Sequence, residues 1–177
     1  MLVQYLVWTA VPLLAAWLAM TVMHVGSVDT WRGGGTGFAW LDTRDAFDHA
    51  RWRHDRSSLR LALTGRARCL ALPALRQPYG LRGMRRVGER DVPLADIVGS
   101  VDAGRRHFDR RFDPTTDAAW ARYSAVFAAR SVGVDLPPVT LYRARDGYYV
   151  LDGHHRVAVA HAFGDRRIRA DVTLVCD

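Results

Sequence analysis

The sequence predicts a mixed α/β fold (α+β) with a small sheet and flanking helices, and three observations carry the prediction. The run "VTLYRARDGYYVL", Val139 to Leu151, reads as two strands joined across a turn ending in Asp146-Gly147, a strong hairpin signal. Its second strand passes through Asp152-Gly153 into a run of good helix formers, Arg156 to Phe163, with Gly164 where a helix stop belongs. The closing run "IRADVTLV" alternates as a further strand.

The elements before this core follow in order. Met1 to Val25 contains no Asp, Glu, Lys or Arg and is long enough, at ~1.5 Å per residue, to cross a ~30 Å hydrocarbon layer as one helix. A membrane anchor is therefore expected over 1–26. Arg32, Arg44, Arg51, Arg53 and Arg56 follow it, which would hold the rest of the chain, C-terminus included, on the cytoplasmic side. The competing readings are a segment packed on the domain and a translation start further along. Residues 27–42, with Gly33 to Gly35 contiguous, read as a glycine-rich linker. Residues 43–90 form a helical lead-in: Thr43 to Leu63 is expected to be a helix with Thr43 at its N-cap, Gly65 as its stop and a solvated arginine-rich surface.

The compact domain is expected over 91–177. Val92 and Leu94 open it as a short strand, and Asp96 to Gly99 form a turn or short helix. Then comes "GRRHFDRRFDP", an arginine-dense loop with Phe108 and Phe112 as anchors. Thr116 is placed to cap the next helix, in which Trp120, Tyr123 and Phe127 share one inward face.

Composition narrows the chemistry. All 25 basic residues are arginine, so lysine Schiff-base and Walker-type phosphate chemistry are excluded. A formal charge of +7 favours anionic partners: nucleotides, nucleic acids or an acidic membrane surface. Cys69 and Cys176 have neither metal-ligand spacing nor the density of a disulfide scaffold, which suits a reducing compartment.

The stretch Asp152-Gly153-His154-His155-Arg156 lies where a strand becomes a helix, and that position has a physical meaning. A helix entered through glycine turns its first backbone N–H groups and about half a positive charge outward, which suits an anion. Gly153 permits positive φ and close approach of a ligand. Arg156 can fork onto two phosphate oxygens, His155 can donate a hydrogen bond or carry a proton, and Asp152 can orient a histidine or hold Mg²⁺. A histidine metal site competes poorly, because His161 lies ~10 Å along the axis from His154. A purely structural reading, with the histidines capping the helix and Arg156 in a salt bridge, stands beside the phosphate site.

Leu151 to Gly164, "LDGHHRVAVAHAFG", resembles the signature of the ParB/sulfiredoxin-like superfamily, and "VPLADIVGS" resembles the strand and turn that open such domains. The likeness covers Asp91 to Val175, and "FDRRF" followed by "DGHHR" is similar to small ParB-like bacterial proteins. The resemblance implies binding of ATP or CTP with Mg²⁺, with Gly153, His154, His155 and Arg156 on the nucleotide and Asp152 on the metal. Sulfiredoxins use a Gly-Cys-His-Arg turn for ATP; His154 stands at the reactive cysteine, so sulfinic-acid repair is not implied. ParB partition proteins bind CTP at a similar turn before a helix-turn-helix, which is not expected here. Free serine kinases of the superfamily spell the turn as this chain does. They imply phosphotransfer or hydrolysis with Asp152 and His155 as catalytic residues and a carboxylate near the opening strand, Asp96 or Asp102. The alternative it implies is a DNA-associated protein or nuclease, with Arg105, Arg106, Arg110 and Arg111 on backbone phosphates, binding weakly and without sequence preference.

Overall fold

The computed structural model describes residues 39–64, 71–75, 84–102 and 107–175, all within the second of two compact units, Arg32–Asp177. The anchor segment over 1–26, Gly65, both cysteines, Arg105 and Arg106 lie outside the described residues. Among the described residues no helix is long and apolar enough to cross a membrane.

The chain runs α1 (Ala39–Leu63), β1 (Met84–Pro93), a 3-10 turn (Leu94–Asp96), β2 (Ile97–Ser100), a second 3-10 turn (Asp117–Ala119), α2 (Trp120–Ser131), β3 (Val139–Ala144), β4 (Gly147–Asp152), α3 (His154–Ala162) and β5 (Arg167–Val175). The strands make one mixed sheet in the order β1-β5-β3-β4-β2. β3 and β4 form the antiparallel hairpin that Asp146-Gly147 predicted, β2 lies parallel to β4, and β5 lies parallel to β3 and antiparallel to β1. The expected α/β architecture is therefore present.

Burial explains the strand pattern. Tyr148, Tyr149 and Val150 are all buried, which successive residues of a strand can be only where both faces of the sheet are covered. Tyr149 joins Leu75, Ala144 and Val98 in a cluster on one face. The 71–75 segment lies along β2, with Ser100 N–H donating to Pro73 O (2.8 Å) and Leu75 N–H to Ser100 O (2.8 Å). α3 packs against β3, α2 against α3, and α1 against α2. Phe47 of α1 meets Trp120 and Tyr123 edge-on at 5.1 and 5.2 Å, and Phe127 meets Phe163 at 4.9 Å. The aromatic stripe of α2 is thus inward, with Tyr123 and Phe127 fully buried.

Several boundaries differ from the sequence reading, each for a local reason. α1 starts at Ala39, so Thr43 is a buried residue inside the helix rather than its cap. Residues 39–42 accordingly belong to that helix and not to the linker. β1 begins at Met84, ahead of the expected opening at Asp91, because pairing with β5 extends the strand back to the Met84–Val175 pair. Ile97–Ser100 is a strand, held between β4 and the 71–75 segment. Thr116 precedes a 3-10 turn without a side-chain cap bond; its hydroxyl instead meets His107 Nδ1 at 3.2 Å. Gly164 does stop α3: at φ 72° its N–H donates to His161 O and that of Asp165 to Ala160 O, the paired closure of a left-handed helix end.

Candidate functional site

β4 passes into α3 through Gly153, whose φ of 102° and ψ of 22° lie in the left-handed region. A Cβ at this position would stand 2.7 Å from Val139 Cγ1 and 3.0 Å from Arg156 Nη2, so glycine is required by both backbone and space. α3 begins at once with His154, two residues earlier than the sequence suggested. Asp152, Gly153, His154, His155 and Arg156 line one cleft of about 240 Å³, closed on its other side by Arg122, Ala125 and Val126 of α2.

Within the cleft the side chains divide into framework and exposed groups. Arg156 is framework: its Nη1 donates to Pro137 O (2.6 Å) and Pro138 O (2.8 Å), and its Nη2 to Asp152 Oδ2 (2.7 Å). This guanidinium ties α3 to the segment before β3, and its side chain is only 15 % exposed. The fork expected on phosphate is thus occupied largely by carbonyls. Asp152 is 65 % exposed, with one carboxylate oxygen on Arg156. His154, expected at the ligand, turns its imidazole into the core instead. Its Nε2 shares a 2.7 Å hydrogen bond with Ser100 Oγ, and Phe108 stacks over the ring at 6.4 Å. His155 is half-buried beside the cleft, with Phe108 edge-on to it at 5.0 Å.

Asp96 is not brought to this site. Its carbonyl lies against Gly147, the first residue of β4, whereas Asp152 is the last. Five steps of strand put those ends roughly 16 Å apart. Asp102 is better placed: β2 runs parallel to β4 with Ser100 opposite Val150, so Asp102 emerges at the sheet end that carries Asp152, and its N–H donates to Ser100 Oγ (3.2 Å). The sequence reading passed over Arg122, exposed on α2 across the cleft. A signal existed: Arg122, Ala125 and Val126 are spaced as one helical stripe beside the inward Tyr123–Phe127 face.

The Phe108–Phe112 loop is the second component. Phe112 is buried with a φ of 61°, a conformation costing about 1 kcal/mol outside glycine. It is held by stacking on His161 at 6.2 Å and by Asp109, whose Oδ1 accepts from Arg111 N–H (2.8 Å) and Asp113 N–H (3.0 Å). The other Asp109 oxygen, Oδ2, accepts from His54 Nδ1–H of α1 (2.9 Å), and His54 Nε2 shares a hydrogen bond with the Ser58 hydroxyl (3.2 Å). Arg53 binds both oxygens of Asp113, at 2.5 and 3.4 Å. Burial holds the Asp113 carboxyl above its usual range, against the pull of Arg53. Burial, and then the Arg53 charge, lowers the His161 imidazole. Arg110 and Arg111 are exposed on this loop. Among the described residues no group of three or more His, Cys, Asp or Glu side chains could hold a metal ion.

No family model matches the sequence, and no curated protein is similar to it by sequence. Among solved structures the chain is similar to sulfiredoxin from Arabidopsis thaliana at 18 % identity and a TM-score of 0.33, over 48 % of this chain and 82 % of that one.

Proposed function

We propose that this chain binds a nucleoside triphosphate, ATP or CTP, through its phosphate tail at the Asp152–Arg156 turn. The observation that carries the reading is the left-handed Gly153, which turns the N-terminal end of α3 into a cleft faced by Arg122 and His155. A volume of about 240 Å³ is small for a whole nucleotide and suits phosphates, with the nucleoside lying outside. In this reading the helix end and Arg122 meet the anion, His155 donates a hydrogen bond, and Arg156 shapes the turn. Asp152 keeps one oxygen for a Mg²⁺ brought in on the triphosphate, since Mg²⁺ is commonly held by one or two carboxylates plus phosphate oxygens. If phosphotransfer or hydrolysis follows, Asp102 has a better position for the second carboxylate than Asp96.

Thermal unfolding of the full chain with ATP, CTP, GTP, their diphosphates and inorganic triphosphate, each with Mg²⁺, tests the reading. Binding to the native state at a hundredfold excess over Kd adds about 2.7 kcal/mol of stability. A shift with triphosphates is expected. No shift with any of them at millimolar concentration overturns it. The DNA-backbone alternative would rest on Arg110 and Arg111 together with Arg105 and Arg106. It predicts an affinity that collapses between about 50 and about 200 mM salt and hardly varies with sequence.

A further inference from the structure

We propose that α1 belongs to the ligand site, with His54 as a positioning residue that fixes the orientation of His155 through Asp109 and Phe108. The inference rests on the phosphate-binding reading, and it adds a helix that contributes nothing to the cleft wall itself. The chain of contact is continuous. His54 donates to Asp109 at 2.9 Å; Asp109, with its side chain 1 % exposed, holds the backbone of its own loop through two further bonds; Phe108, one residue away and 3 % exposed, presents its ring to His155 at 5.0 Å and 84°. Arg53, adjacent on α1, anchors the other end of the loop through Asp113.

The physical reason for coupling is that the loop's acids are buried. A carboxylate in that position keeps its geometry only while its partners supply hydrogen bonds, and removing one partner leaves an uncompensated group that must move toward water. The movement available to Asp109 carries Phe108 with it. The His155 ring then loses the aromatic edge contact that restricts its rotation, and its hydrogen bond to a phosphate loses direction.

The test uses the full chain with nitrogen-labelled histidine, the His155 ring signals being assigned by their loss in His155→Gln. Without any ligand, His54→Ala should shift the His155 ring signals, and His54→Asn, which keeps an N–H near the place of Nδ1–H, should return them toward the wild-type position. Triphosphate affinity should fall about tenfold in His54→Ala and recover in His54→Asn. Should His54→Ala not fold, His54→Gln replaces it: the longer amide fills more of the imidazole's space while carrying its N–H away from Asp109, and the His155 signals should still move. Unmoved His155 signals in the folded variant overturn the inference. If the wild type binds no phosphate while the His155 signals respond as expected, the ligand reading fails and the α1 coupling stands.

Discussion

The Asp152–Arg156 turn and the Asp109–Asp113 loop both pair aspartates with arginine or histidine, and they bury opposite partners. At the turn the carboxylate is 65 % exposed and the guanidinium 15 %; at the loop the side chains of Asp109 and Asp113 are 1 % and 4 % exposed, while Arg53 and His54 reach 29 % and 17 %. A buried carboxylate must be fully paired, so the loop is a rigid strut. An exposed one keeps its hydration and can accept a cation. In the proposed reading the turn is the part of the molecule that takes the ligand, and the loop is what holds it in shape.

Arg53→Ala tests that contrast with the largest expected effect. It strands Asp113 in the interior and should cost about 3 kcal/mol in urea unfolding; a cost below about 1 kcal/mol would reduce the pair to an ordinary surface salt bridge. Gly153→Ala should cost about 2 kcal/mol, from the left-handed backbone and the contact with Val139. Arg156→Ala should cost about 1.5 kcal/mol through its lost bonds to Pro137, Pro138 and Asp152, with little recovery in Arg156→Lys, which cannot reproduce the planar fork. A variant as stable as wild type would return Arg156 to a pure ligand role.

A pH series sharpens the loop side. The half-buried His161 has a folded pKa below its ordinary 6.5, so the unfolded chain takes up a proton that the folded chain refuses. Its contribution is present above about pH 6.5 and is lost as pH falls through the folded value. Urea midpoints at about pH 7.5 and about pH 5.5 should therefore converge in His161→Gln relative to wild type. Asp113 works in the other sense: its raised pKa gives a contribution present at acid pH and lost as pH rises. The smallest effect belongs to the cleft rim. Arg122→Ala should alter stability by less than about 0.5 kcal/mol, as replacement of an exposed residue usually does, while weakening triphosphate binding by calorimetry. Unchanged affinity would remove α2 from the site.

The sequence by itself determined the hairpin at Asp146-Gly147, the glycine turn into α3, the stop at Gly164 and the inward stripe of α2. These depend on local backbone geometry and on the 3.6-residue and two-residue periods, which neighbouring residues express directly. Phe108 and Phe112 were legible as anchors because they are the large apolar side chains of an otherwise arginine-dense loop. Tertiary structure alone decided the rest. Which histidine faces the core depends on Ser100, 54 residues earlier, and which groups occupy Arg156 depends on the carbonyls of Pro137 and Pro138. The arginines and histidines of α1 carry no mark separating a solvated surface from a buried pairing, because Arg53 and His54 acquire their partners only when the loop 55 to 60 residues later folds onto them. Hydrogen-bond partners and burial are set by segments distant in the chain, and no local pattern encodes them.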